Sequence, residues 1–226
     1  MIAALPEWVG PVAHYMLHTG LVETLKVAAE SVVAGTLIGI VLGTLLTLRF
    51  PPVSAVIRLY IEVWRGLPII VTIFLLYFAL PSAPLHAIRL SAFQAAAIGL
   101  TLWGSAQIAE ATRGAVQSIP RSQHEAAAAL GFGWLGRHVF VVLPQALRRL
   151  LPPLVSLVVN VIQNSTLAAI IGVPEVLQAG QRSIERLEIS TGNAHAFSIY
   201  LAVMATFFVI SFPLTRLAAF LERRLV

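Results

Sequence analysis

The sequence has no cysteine and no aspartate, and Lys26 is its only lysine. Without cysteine there is no disulfide framework, no thiolate metal site and no cysteine nucleophile. Every acidic group is therefore a glutamate, which leaves hydrolytic and metal-hydrolytic chemistry poorly provided for. A phosphate-binding P-loop requires a Gly-Lys-Ser/Thr run. Lys26 stands in TLKVAAE with no glycine beside it, so the chain carries no recognisable nucleotide site. Charge is scarce altogether: 11% of 226 residues are charged, 58% are hydrophobic, and the mean hydropathy is +0.87. A soluble domain of this size needs far more charge to cover its surface. The composition reads as an all-α polytopic membrane protein, and the net charge of +5 reads as arginines on cytoplasmic loops rather than a nucleic-acid surface.

A membrane-crossing helix needs about 20 predominantly apolar residues. Five segments qualify, at about 20–48, 53–80, 92–116, 150–166 and 196–217. Pro51 and Pro52 end the first and Pro81 ends the second, because proline cannot continue a helix. The fourth begins with Pro152 and Pro153 in its first turn. No loop is long enough to form a separate domain, so residues 1–226 read as one membrane domain. An outside N-terminus puts Arg49, Arg58, Arg113, Arg121, Arg137, Arg148, Arg149, Arg216, Arg223 and Arg224 on the cytoplasmic side. Only Arg89, Arg182 and Arg186 then fall outside, a strongly positive-inside distribution with a cytoplasmic C-terminus. The first 25 residues hold no Lys or Arg, so no cleavable signal peptide is expected. Trp8 and Tyr15 are placed as interfacial anchors.

Ionisable groups at membrane depth are costly and point to function. EVWRG (62–66) and EATRG (110–114) each set Glu and Arg three residues apart, on one helix face. Glu62–Arg65 and Glu110–Arg113 are thus expected to neutralise each other, either as inward-facing structural pairs or as the lining of a polar pathway or subunit contact. Glu23, Lys26 and Glu30 make a similar series, which an interfacial position explains. The fourth segment ends in QNSTLAAIIGVPEVL (163–177), either a helix broken to line a wet cavity or a helix end reaching the interface. Arg65, Gln107, Glu110, Asn164, Ser165 and Thr166 are the candidates for a solute path, chosen by their position in the spans. His14 and His18 have i, i+4 spacing but lack a third ligand, so an interfacial role is favoured over metal. His124 and His138 read as solvated loop residues.

Between the third and fourth segments, RSQHEAAAALGFG (121–133) reads as a short helix at about 122–131. Ser122 and Glu125 have capping-box spacing, four alanines form the body, and Gly131 is placed as a left-handed stop. Isolated helices this short are marginal, so something must pack on it. Its alanine face suits either close docking of another protein or a simple interfacial connection.

The spacing then becomes specific. Glu125-Ala126-Ala127, three residues, Gly131, nine residues, Val141, one residue and Leu143-Pro144 resembles the EAA loop of ABC importer membrane subunits. Val141 stands where that pattern has isoleucine. YIEVWRGLPIIVTIFLLYFALP (60–81), RGAVQSIP (113–120) and QNSTLAAIIGVPE (163–175) resemble segments of the polar amino acid permease branch, the histidine/glutamine/glutamate/arginine type. Leu67, Gln107, Ser122 and Gln163 depart from residues common there. The resemblance covers nearly the whole chain and implies a type I importer permease fold.

It also implies a subunit that is not an enzyme, binds no cofactor and works by alternating access in a bacterial inner membrane. Its implied partners are a second permease, identical or homologous, an ABC ATPase dimer, an extracytoplasmic solute-binding protein and an amino acid substrate. Glu125, Ala126, Ala127 and Gly131 are then the ATPase-coupling residues. The rival expectations are an autonomous channel or secondary transporter, and an ABC permease for a different small solute.

Overall fold

The computed structural model describes residues 6–47, 50–82 and 88–225. Among these there is no β-strand: every regular element is helical. The expected end of the first segment at residue 48, and Arg49, lie outside the described residues.

The first helix, α1 (Val9–Leu45), is 37 residues long and starts well before residue 20. Pro11 falls in its first turn, where a missing N–H costs nothing, and the charges that follow are partly offset within the helix, Lys26 Nζ donating to Glu23 Oε1 at 2.7 Å. A π-helical turn at Met16–Leu21 interrupts its regular winding, and the His14 and His18 rings stack with centroids 4.2 Å apart. The second expected helix is instead two, α2 (Pro51–Gly66) and α3 (Ile69–Ser82), meeting at 101°. Pro68 accounts for the bend, since the residue before proline is driven out of the helical region. Leu67 is extended accordingly, with ψ 138°.

Helix α4 (Ala92–Gln117) opens on a capping box that the sequence reading passed over. The Gln94 N–H donates to Ser91 Oγ (3.2 Å), and the Ser91 N–H donates to Gln94 Oε1 (3.0 Å). After α5 (Arg121–Ala129) comes α6 (Trp134–Ile171), which begins far ahead of residue 150 and carries Pro152 and Pro153 in its interior. Proline φ is helix-compatible, so each ring costs a hydrogen bond rather than the helical path itself. Buried Val142, Ala146, Leu150, Leu157 and Val161 form one apolar stripe running past the proline pair, and packing of that stripe holds the helix together. Gln163 to Thr166 do not end the helix either; it tightens to a 3₁₀ run at Ser165–Ile171 and stops at Gly172, φ 90°. Helices α7 (Val176–Thr191) and α8 (Ala196–Leu225) complete the chain.

The chain clusters into two compact units: residues 1–31, 69–100 and 160–212, and residues 32–68, 101–159 and 213–226. In the first, Met16, Val176, Ala179, Leu187, Ile199 and Val203 form a core. Trp8 and Tyr15 pack against it, and Trp8 stacks on His195 at 4.6 Å, so both rings have protein partners. In the second unit, Ile57 and Ile61 of α2 pack with Ala109 of α4. There Gly35, Gly39 and Gly43 form a small-residue ridge on α1 that lies against α4. A Cβ on Gly39 would sit 2.6 Å from Ile108 Cβ, and one on Gly43 2.6 Å from Thr112 Cβ.

Helices α1, α6 and α8 are each long and apolar enough to cross a membrane, and α2 with α3 makes a fourth if the bent pair is one crossing. Helix α4 is less apolar because its neighbours are protein: Ala95, Ala96, Leu100, Ala106 and Ala109 are completely buried. On α8, by contrast, Met204, Phe208 and Val209 are more than 60% exposed, which suits lipid. The chain is an all-helical, multi-pass membrane protein.

Because the ridge leaves no room for a side chain, Gly43→Leu should destabilise the protein by at least about 2 kcal/mol, as overpacking does. Gly114→Leu, at a position with open space, should not. Thermal unfolding of the detergent-solubilised variants, followed by tryptophan emission, checks this; equal midpoints would mean that the α1–α4 contact is not tight.

Candidate functional site

Two constellations carry most of the chemistry, both in the unit formed by residues 32–68, 101–159 and 213–226. The first is α5. Its N-cap is Pro120, with φ −57° and ψ 143°, and no side chain caps it. The expected capping box at Ser122 and Glu125 is therefore absent. Proline turns the backbone into the helix two residues sooner, which places Ser122 inside the first turn, where it no longer holds the capping position. The first turn closes instead through the Gln123 N–H donating to the Pro120 carbonyl at 3.0 Å. The C-terminus is as expected: Gly131 has φ 84°. The Gly131 N–H donates to Ala128 O (3.0 Å) and the Phe132 N–H to Ala127 O (3.1 Å), a Schellman stop.

Glu125, Ala126 and Gly131 are exposed, while Ala127 is buried at 2%. Ala127 thus lets α5 lie close on the neighbouring chain rather than offering a contact to a partner. The helix rests on the Trp134–Arg137 and His138–Val142 turns of α6. Gln145 Nε2 also donates to Gln123 Oε1 at 3.4 Å. The His124 and His138 rings meet at 6.2 Å, so neither is a plain solvated loop residue. Burial, then the neighbouring His138 and Arg137, hold the His124 imidazole below its ordinary pKa.

The second constellation is a cavity of about 260 Å³ lined by Arg58, Glu62, Arg65, Glu110 and Arg113 together with two apolar residues. Glu110 and Arg113 form the expected ion pair, two-pronged, with Arg113 Nε donating to Glu110 Oε2 at 3.0 Å. Glu62 and Arg65 do not pair as expected. Arg65 Nε donates across to Gln107 Oε1 at 3.1 Å. The amide on α4 is within its reach, and Glu62 is left facing the cavity without a partner among the described residues. Arg65, Gln107 and Glu110 are thus brought together. Arg58 was missed as a member of this site, although Arg58, Glu62 and Arg65 at i, i+4 and i+7 already share one helix face in the sequence.

Asn164, Ser165 and Thr166 belong to the other unit and turn back on their own helix. Asn164 Nδ2 donates to Asn160 O, Ser165 Oγ to Ile162 O and Thr166 Oγ1 to Gln163 O, each at 2.8 Å. Ser165 is completely buried, so of these three only Asn164 and Thr166 are open to a solute.

The same unit holds a group that the sequence reading did not single out. Glu175, fully buried outside the long apolar helices, caps α7 by accepting the N–H groups of Leu177 (3.0 Å) and Gln178 (2.8 Å). The Val176 N–H donates to Thr24 Oγ1 at 3.2 Å, so the first three donors of α7 are all satisfied. Burial pushes the Glu175 carboxyl up to about 7 against the opposing pull of its two N–H bonds. The sequence signal was an acid directly ahead of an amphipathic run.

A multi-pass helical protein with a charged cavity among its helices and a short, half-exposed helix between two long ones belongs to the class of membrane transport subunits. Residues 35–226 match the family described as the binding-protein-dependent transport system inner membrane component, and the chain belongs to that family. It is 37% identical over 210 residues to the glutamine transport system permease protein GlnP of Escherichia coli (strain K12), covering 93% of each chain. It is 33% identical over 208 residues to the probable glutamine ABC transporter permease protein GlnP of Bacillus subtilis (strain 168), covering 92% of this chain and 93% of that one. Among solved structures, it matches the crystal structure of an amino acid ABC transporter with histidines at 27% identity and a TM-score of 0.81, over 97% of this chain and 99% of that one. An inward-facing MetNI methionine ABC transporter shares the fold, at 20% identity and a TM-score of 0.77 over 96% and 98% of the two chains. The ABC importer permease assignment read from the Glu125–Pro144 spacing holds.

For Glu175 the sign of the pH effect is set. A carboxyl raised from 4.5 to about 7 stabilises the fold fully below pH 4.5, and that contribution is lost as pH rises through about 7. Relative to Glu175→Gln, the parent should lose up to about 3 kcal/mol between pH 4.5 and 8. Unfolding midpoints of both proteins across that range test it; a parent that gains on the variant as pH rises contradicts the assignment.

Proposed function

We propose that the chain supplies half of the translocation pathway of an ATP-driven importer for polar amino acids and takes up the motion of a separate ATPase through α5. The observation that carries the docking role is the exposed Glu125–Ala126 face of α5, closed by left-handed Gly131 at the spacing of the EAA loop. For the pathway, the cavity walled by Arg58, Glu62, Arg65, Glu110 and Arg113 supports a zwitterionic solute, since guanidinium groups suit a carboxylate and carboxylates suit an ammonium. Asn164 and Thr166 remain proposed members of the path, whereas Ser165, completely buried and bonded to Ile162 O, serves as a packing residue beside it. The relatives' names point to glutamine as the first solute to test.

In this reading residues 1–226 are one permease domain with five membrane crossings, an outside N-terminus and a cytoplasmic C-terminus, in a bacterial inner membrane. The fifth crossing is α4: its 26 residues span about 39 Å at 1.5 Å each, enough for the hydrocarbon core. Arg121 and Arg137 beside α5 support placing that side in the cytoplasm. Five crossings are too few to enclose a solute path, so a second permease, identical or homologous, is a required partner. An ABC ATPase dimer provides the energy and an extracytoplasmic solute-binding protein delivers the amino acid.

Reconstituted with its co-expressed partners in liposomes, the chain should take up glutamine only when ATP, the ATPase and the binding protein are all present. Uptake by this chain alone, driven by a gradient, would make it a channel or secondary transporter. Uptake of another solute class in preference to amino acids would reassign the cargo.

Gly131→Val forces a β-branched residue into the left-handed region at a cost of about 1–2 kcal/mol, and Glu125→Arg reverses the charge on the exposed face. Both should lower ATPase co-purification several-fold while membrane insertion stays intact. If both variants retain the ATPase and transport normally, α5 is not the docking element.

A further inference from the structure

A second, larger cavity, of about 1290 Å³, lies beside α5, walled by parts of α2, α4, α5 and α6. Three guanidinium groups, Arg58, Arg121 and Arg137, and two imidazoles, His124 and His138, line it against one carboxylate, Glu125. Among the described residues neither ion pair involves any of the three arginines. The Nε of Arg137 is buried with no hydrogen-bond partner. A buried guanidinium N–H left unsatisfied is costly, and the cost disappears when an anion accepts from it. The lowered pKa of His124 fits the same excess of positive charge, since burial and its neighbours His138 and Arg137 all oppose a further cation.

The chain segment that contributes Trp134, Arg137 and His138 to this cavity also exposes apolar side chains. Leu130, Leu135 and Phe140 are 79%, 67% and 70% exposed. Trp134 lines the cavity and is itself 43% exposed. A cation-lined hollow with a half-exposed indole in its wall, on a chain segment that exposes further apolar side chains, matches a ligand with an anionic head and hydrocarbon chains. A free phosphate would use the arginines and leave these apolar side chains without purpose.

We propose that this cavity binds the phosphate-bearing headgroup of an acidic phospholipid, with Arg121 and Arg137 as its principal ligands and the acyl chains lying on the exposed apolar side chains of residues 130–140. Arg58 lines this cavity and the smaller charged one alike, so a bound headgroup sits one side chain away from the proposed solute path. The lipid site itself does not depend on the importer reading.

The test uses the full chain in a mild non-ionic detergent, titrated with phosphatidylglycerol or phosphatidylcholine of identical acyl chains and read by native mass spectrometry. Phosphatidylglycerol should be retained at about tenfold lower concentration, as expected for charge-assisted contacts to two arginines. Arg121→Gln/Arg137→Gln should remove that preference, and Arg137→Lys should keep part of it. Equal retention of the two lipids, or a preference that survives the double variant, overturns the proposal. Displacement of phosphatidylglycerol by millimolar inorganic phosphate would assign the cavity to a free anion and overturn the lipid source. If the double variant does not fold, brominated lipids in the parent decide the matter. The emission missing from Trp134→Phe should be quenched more by phosphatidylglycerol than by phosphatidylcholine, and equal quenching refutes the site.

Discussion

The contact between the glycine ridge of α1 and helix α4 is the constraint on which the charged chemistry depends. Gly39 and Gly43 let α4 come so close that a methyl group would not fit between them. Helix α4, fixed in this way, carries Gln107, Glu110 and Arg113 on one stretch and presents Ala109 to Ile57 and Ile61 of α2. The hydroxyls of Tyr60 and Ser105 meet at 2.6 Å across the same pair of helices, which further fixes their register. Only with α2 and α4 so aligned can Arg65 reach Gln107 and the two carboxylates share a cavity with three guanidinium groups. In an apolar environment small residues supply this closeness, because shape and dispersion replace the hydrophobic drive.

The ends and bends of the helices form a second layer of control. Each is made by a residue that either cannot donate or can adopt a conformation others avoid. Pro68 turns α2 from α3, Pro120 starts α5, and glycines 131 and 172 stop α5 and α6 in the left-handed region. Several helix-end donors and acceptors are taken up locally, by Schellman bonds after α5 and α6, by Glu175 and Thr24 at α7, and by Ser91 and Gln94 at α4. Helix ends arranged in this way can lie among apolar side chains without an unmet backbone group.

Much of this was legible in the sequence, and what was not has physical reasons. Alanine content and a following glycine place α5 and its stop correctly, because both signals are local. The N-cap was misplaced by one proline: Ser122 has the right spacing but the wrong backbone, and Pro120 acts first. Hydropathy alone could not see the 101° bend at Pro68, since both arms are apolar, nor the early start of α6, where packing of one buried stripe outweighs two interior prolines. Glu110–Arg113 closed as helix spacing implies, whereas Arg65 found an amide on another helix, a partner that no one-helix argument supplies. The resemblance of the Glu125–Pro144 spacing carried the family further than periodicity could, because it is a pattern of identities rather than of polarity.

The seating of α5 on α6 has a mechanical consequence. Ala127 is buried beneath α5, and the helix rests on the first two turns of α6 with Gln123 and Gln145 stitched across. Those turns are continuous with a rod of 38 residues. A load applied to the exposed side of α5 is therefore not absorbed by a slack loop but delivered to the end of a stiff lever. Of the three prolines within that lever, the adjacent pair Pro152 and Pro153, where backbone bonds are missing, marks its point of greatest compliance.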